Sequence, residues 1–335
     1  MHFADDVLTF FGSHWLLIAF MAPVFWSLVN VIDVYFVDGI YKDALDGAII
    51  SGLFQIVPWP FLIFLVGLKP TDFFQTGVLG QVLGLNAVFI LSLAGGVVYA
   101  LGIYFYFKAL FSYNDAPFLQ LVANFSVVTV PILSFLMFRE TLPLMGYVGM
   151  AVTLSGAAVL SGSSYLRKRF SGKYFSIMLG AVLFLSLSMI IENRAYGLLA
   201  DTYGEKGFWM GFLFFSLGAF SGGLLFSFYS MRNPFSTIRK YYKVFFLGEG
   251  LYFLGNLALQ RAIGTAPSVS YVAVIETFGP VFIMLYSLII VAGSRFVFVG
   301  KAEMFRRIYS EQTKGIWMKA LATVIMAFGV FIMTS

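Results

Sequence analysis

The sequence predicts an all-α integral membrane protein, with ten transmembrane helices laid out as two inverted five-helix repeats. Three observations predict it. Hydrophobic residues fill 60% of the 335 positions and charged residues 11%, against roughly 25% charged in a soluble domain; mean hydropathy is +0.90. Apolar runs near the ~20 residues that cross a bilayer follow one another with short polar breaks. The second half of the chain echoes the first in an ordered series of motifs.

The runs place spans at 14–37, 45–67, 86–110, 114–137, 141–161, 174–197, 208–230, 244–263, 266–293 and 316–334. The run at 71–85 stays open between span and loop, because Gly77, Gly80 and Gly84 interrupt it. No polar stretch is long enough for a separate soluble domain. The opening MHFADDVLTFFGSHW has neither a basic n-region nor a small-residue cleavage site, so a retained segment is expected rather than a signal peptide.

With ten spans, 16 of the 21 Lys and Arg fall in one set of loops. Positive residues stay on the cytoplasmic side. Loops 162–173, 231–243 and 294–315 are therefore expected in the cytoplasm and both termini outside, in a cytoplasmic or inner membrane. These loops account for the net charge of +5 without a nucleic-acid partner. Segment 294–315 alternates Phe296, Phe298, Phe305 and Tyr309 with Arg295, Lys301, Arg306 and Arg307. It reads equally as an amphipathic segment on anionic lipid or as an ordinary loop.

Several chemistries are excluded. The chain has no cysteine, hence no disulfide, thiolate nucleophile or thiolate metal site. His2 and His14 both precede the first span, which removes a histidine metal site or proton relay inside the membrane. There is no P-loop, no HExxH, no paired Gly-Asp aspartates and no intramembrane Ser/His arrangement. An enzyme is not expected, and no cofactor or metal is called for. Charge rings or a filter loop, which would mark a channel, are not visible.

The halves match in order. Tyr99-Ala-Leu-Gly102, Lys108-Ala109 and Ala116-Pro117 parallel Tyr252-Phe-Leu-Gly255, Arg261-Ala262 and Ala266-Pro267. Pro131 and Pro280 follow. Ser27 to Asp33 parallels Ser186 to Glu192, and Gly156 and Gly329 close the halves. The repeats are thus 14–161 and 174–334, joined by the basic linker 162–173. Five spans is an odd number, so two copies must be inverted in the membrane, an arrangement common in secondary transporters with the solute site between halves.

The series Ala109-Leu-Phe-Ser-Tyr113, Ala116-Pro117, Pro131, Arg139-Glu140-Thr-Leu and Gly146, Gly149, Gly156 resembles the drug/metabolite transporter (DMT) superfamily, in its ten-helix EamA-type branch. The resemblance implies an exporter or exchanger of small metabolites working by alternating access, each half being an EamA-like repeat. Two features depart from it. A long basic loop replaces the short Gly-Glu turn expected after the ninth span, which leaves Glu303 without the matching context. Termini outside oppose the orientation expected for many relatives.

Ionisable residues within spans are costly and mark function by default. Glu276 lies near mid-bilayer in the ninth span, beside Thr277 and Gly279-Pro280, as a candidate for solute or proton binding. Glu249 heads a stripe with Tyr252, Asn256 and Gln260 on one helical face, expected to line a cavity. Gly96 stands at its equivalent in the first half, so this acid is not shared. Asp33, on one face with Trp26 and Asn30, and its equivalent Glu192 are candidates for gating, proton coupling or a structural role. Lys108 and Arg261 are expected as snorkelling anchors, otherwise as gate partners for acids. Gln120 and Asn124 share a face of the fourth span; the sequon at Asn124 falls inside the span and is ignored. Gly218 and Gly222 form a GxxxG packing motif. Trp26, Tyr99, Tyr252 and Tyr271 are candidates for an aromatic cage around an organic cation. The expected function is proton-coupled secondary transport of a small cationic or zwitterionic metabolite, with solute and lipid as partners. The alternatives are a channel or scramblase, an intramembrane enzyme, and a membrane protein that does not transport.

Overall fold

The computed structural model describes residues 14–74, 81–82, 85–113, 124–162, 172–297 and 315–335. Most of linker 162–173, most of 294–315 with Glu303, and the start of the fourth span with Ala116-Pro117 and Gln120 lie outside them. In chain order the helices are α1 (Trp15–Gly39), α2 (Ala44–Phe54), α3 (Trp59–Val66), α4 (Ala87–Tyr113), α5 (Ser126–Phe138) and α6 (Leu144–Gly162). They continue as α7 (Gly172–Tyr203), α8 (Glu205–Ser230), α9 (Phe235–Thr265), α10 (Val269–Glu276), α11 (Gly279–Val297) and α12 (Ile316–Thr334). In the run read as ambiguous, a 3₁₀ turn at Pro70–Phe74 precedes two short antiparallel strands, Gln81–Val82 and Leu85–Asn86.

Each apolar run read from the sequence contains helix. Seven helical segments among the described residues are long and apolar enough to cross a membrane: α1, Ala44–Phe64 across α2 and α3, α4, α7, α8, Val269–Gly293 across α10 and α11, and α12. The chain is a multi-pass membrane protein on that ground. Helices α5 and α6 are apolar but shorter over their described lengths. One expectation is corrected. The loop expected at 231–243 is confined to 231–234, because α9 starts at Phe235 and runs on through a kink at Tyr241. Its first turns carry Arg239, Lys240 and Lys243, so the basic residues read as a loop are helix.

Prolines decide where spans break. Helix α2 ends before Pro58 and α3 restarts with Pro60 at its second position, since neither proline can donate to the preceding turn. The unwound Gln55 side chain accepts a hydrogen bond from Asn256 Nδ2 at 3.1 Å. Between α10 and α11 the ladder lapses at Thr277 and Phe278, and Pro280 leaves the Glu276 carbonyl without its i+4 donor. Pro23 interrupts α1, where the single hydroxyl hydrogen of Ser27 is shared between Pro23 O at 2.6 Å and Gly279 O at 2.9 Å. Gly204, at φ +59°, provides the left-handed step that separates α7 from α8.

Packing between helices depends on small residues. A methyl group on Gly96 would collide with the Phe215 carbonyl, and one on Gly218 with the Leu93 carbonyl. The GxxxG glycines of α8 therefore seat its backbone directly on α4. Helix α4 also packs on α7, with Gly95 facing Ile191 and Gly102 facing Leu185. Helix α9 packs on α1 in the same pattern, with Gly248 facing Ile32 and Gly255 facing Trp26. Helices α6 and α12 form a pair of their own: Gly149 faces Gly329, Gly156 faces Ala322 and Met326, and the Thr153 hydroxyl reaches Met326 O at 3.3 Å.

Candidate functional site

A cavity of about 150 Å³ lies in the middle of the bundle. Helix α1 supplies Pro23, Trp26, Asn30 and Asp33, α4 supplies Tyr99 and Tyr106, and Asn124 and Ser126 close it at the start of α5. The wall from α7 runs from Met178 to Met189, α9 adds Tyr252 and Gln260, and the α10–α11 break adds Glu276 and Gly279. The lining is mostly apolar and aromatic with a few convergent polar groups, as in small-molecule sites. No Lys, Arg or His lines it among the described residues.

The unwinding at Thr277–Phe278 turns Glu276 toward this space. No hydrogen bond or ion pair engages its carboxyl among the described residues. Asp33 sits at the far end of the α1 wall, 5% exposed. The Tyr106 hydroxyl lies 2.8 Å from Asn30 Oδ1 and 3.0 Å from Asp33 Oδ2. Its hydroxyl hydrogen is either divided between the two acceptors or given to one of them, the other contact then needing a proton on Asp33 or an inverted Asn30 amide. Trp26 meets Tyr252 edge-on at 4.8 Å, and the Tyr99 and Tyr252 hydroxyls are hydrogen-bonded at 2.6 Å. Trp26 Nε1 and the amide nitrogens of Asn30 and Asn124 have no hydrogen-bond partner among the described residues.

The cavity thus brings together Trp26, Asn30, Asp33, Tyr99, Asn124, Tyr252 and Glu276. It does not take the whole α9 stripe. Glu249 turns to α2, where Ser51 donates to it at 3.3 Å, and Asn256 turns to Gln55. Tyr252 and Gln260 face the cavity, Gln260 accepting from the Tyr196 hydroxyl at 3.0 Å. The physical reason is that α2 and the turn after it lie against α9, so that Ser51 and Gln55 offer two of the four stripe residues a polar partner. Tyr271 lies away from the cavity, stacked on Trp15 at 6.3 Å. Glu192 is fully buried against Gly95 on α4, with Ser92 and Tyr196 as polar neighbours. Arg261 does not snorkel: it pairs with Glu205 at 2.6 Å and covers the Phe208 ring at 4.8 Å. Lys108 lies over Tyr104 and Phe105.

Tyr106, Ser51, Gln55 and Tyr196 are absent from the sequence reading. Signals existed: Tyr106 falls seven residues after Tyr99, on the same face of α4, and Ser51 and Gln55 stand four apart in an apolar run.

Polar clusters lie at both ends of the bundle. At one, Arg232 holds Asp43 at 2.6 Å and Asp46 at 2.8 Å. At the other, Arg261–Glu205 is joined by Lys206–Asp72 at 3.7 Å, and Glu140 accepts from Ser268 at 2.6 Å. The Arg232 guanidinium holds the Asp43 carboxyl below the usual carboxylate range.

No protein-family model matches this chain, and no curated protein does. A solved structure described as "Crystal structure of protein" is similar to it, with a TM-score of 0.61 over 96% of this chain and 98% of that one. At 19% identity the likeness is one of fold.

Proposed function

We propose that this protein is a secondary active transporter of a small organic solute, an exporter or exchanger with ten spans in two inverted five-helix halves. The observation that carries this reading is the central cavity. Both halves wall it, a broken helix enters it, and an unpartnered carboxyl faces it. Discontinuous helices at a central site are how transporters expose polar groups inside a membrane.

The packing supports two inverted halves. A two-fold exchange requires every contact between halves to recur between the equivalent residues. Tyr99 and Gly102 match Tyr252 and Gly255, and Ser27 and Asp33 match Ser186 and Glu192, in the aligned motifs. On that register the Gly95–Ile191 contact maps onto Gly248–Ile32, and Gly102–Leu185 onto Gly255–Trp26. Ser27 meets the segment before Pro280, and Ser186 meets Thr129, just before Pro131, at 2.7 Å. Tyr99 touches its own equivalent Tyr252, as residues beside a two-fold axis must. This arrangement, with the motif resemblance, supports the EamA-type branch of the DMT superfamily.

Alternating access would open one end while the other stays shut. Contacts between halves are available at each: Arg232 with Asp43 and Asp46 at one, Asp72–Lys206 and Glu140–Ser268 at the other. Glu276 is the group assigned to proton coupling, because it faces the solute space without a protein partner and carries a proton or a solute cation in turn. Glu249, bonded to Ser51 outside the cavity, is expected to matter less. The test is proteoliposomes containing a pH-sensitive dye, challenged with pools of small metabolites. At least one pool should drive proton movement, and Glu276→Gln should abolish it while Glu249→Gln reduces it. Folded, monodisperse protein that moves neither protons nor solute with any pool would overturn the proposal.

A further inference from the structure

We infer that the cavity takes a linear organic dication, an alkyl chain with an ammonium group near each end. The inference rests on reading the cavity as a solute site. Its first ground is the position of the two carboxyls. The α1 wall runs from Pro23 to Asp33, about 15 Å at the ~1.5 Å helical rise. Glu276 belongs to the Pro23 end: Phe278 packs edge-on against Phe20 at 5.0 Å, and the Ser27 hydroxyl, turned back to Pro23 O, meets Gly279 O. Asp33 is at the opposite end. The acids are therefore too far apart to share one ammonium group.

The second ground is charge. No cationic side chain lines the space among the described residues, and a buried carboxylate without a counter-charge is costly. A monoamine leaves one acid unmatched. A zwitterion brings a third carboxylate with no Lys or Arg to receive it. A dication matches both acids.

The third ground is shape. The cavity of about 150 Å³ is bounded along α1 by a wall of about 15 Å, which suits a thin, extended chain. Trp26 and Tyr99 provide flat walls to the cavity, where cation and methylene groups both find favourable contact. Asn124, 4% exposed and with no partner for its amide nitrogen among the described residues, lines the cavity as well.

The experiment measures binding to purified full-length protein, by calorimetry in mildly alkaline buffer, across α,ω-diaminoalkanes from 1,4-diaminobutane to 1,12-diaminododecane. The n-alkylamines of equal length serve as controls. Affinity should peak at one chain length, where the diamine binds about tenfold or more tighter than its monoamine. Asp33→Asn and Glu276→Gln should each erase the diamine advantage. Asp33→Glu, which reaches one methylene further, should restore it with the optimum moved to a shorter chain. Equal binding of diamines and monoamines, or an optimum unchanged in both Asp33 variants, would overturn the inference. Length-dependent binding without any flux in proteoliposomes would instead sink the transport reading alone. Flux of other solutes with no diamine binding would sink only this one.

Discussion

At the scale of single residues, partners decide what a charge is for. Arg232 and Arg261 both sit near helix ends, and both are held by acids rather than by the interface. Glu276, in contrast, has a cavity instead of a partner. The Arg232 pair yields a signed prediction. Asp43 titrates lower in the folded protein than unfolded, so the pair stabilises fully above the unfolded carboxylate value of about 4. That contribution is lost as pH falls through the lower folded value. Both side chains are partly exposed, 31% and 45%, so the effect is small. Asp43→Asn should lower the melting temperature by about 2 °C at neutral pH. The gap should close in strong acid. Thermal melts across pH check it; a gap that persists or widens in acid contradicts the pairing.

At the scale of elements, the distance between helix axes explains an asymmetry visible in the sequence. Gly96 and Glu249 occupy matching places in α4 and α9. The α4 position lies under the backbone of α8, where no side chain fits. The α9 position faces α2 across a wider gap, and a carboxyl reaches Ser51 there. Equivalent sites thus hold glycine or glutamate according to how closely the neighbouring helix approaches. Gly96→Ala should destabilise by about 3 kcal/mol through overpacking. Gly250→Ala, where nothing lies within 4 Å of the added methyl, should be neutral or stabilise by about 0.5–1 kcal/mol. Denaturant unfolding in detergent measures both; equal effects would mean that α4 and α8 are not in close contact.

At the scale of the whole molecule, the described loops pair as the charge count divided them. Segments 40–43 and 231–234 meet through Arg232, while Lys206, Arg261 and Asp72 cluster with one another at the far end. On the positive-inside rule the Arg232 end is expected to face the cytoplasm. Ser236 and Thr202 are both exposed, at opposite ends, in a chain without native cysteine. In intact cells an impermeant maleimide should label Thr202→Cys and leave Ser236→Cys unlabelled until the membrane is permeabilised. The reverse pattern would invert the expected orientation.

The helical class, the positions of the apolar runs and the break at Gly279-Pro280 were legible in the sequence, because they rest on local chemistry: hydropathy over some twenty residues and the missing N–H of proline. The break at Pro58, inside a run read as one span, was not singled out. The facing of Trp26, Asn30 and Asp33 was legible too, since one helical turn relates them. What needed the tertiary structure was which polar residues face the cavity and which face another helix. Glu249, Tyr252, Asn256 and Gln260 share a stripe, yet they bond in order to α2, to α4, to the turn after α2 and to α7. Periodicity fixes the angle of a side chain around its own axis. Only the packing of neighbouring helices, set here by glycines and by the bends at Pro58 and Pro280, decides what lies in that direction.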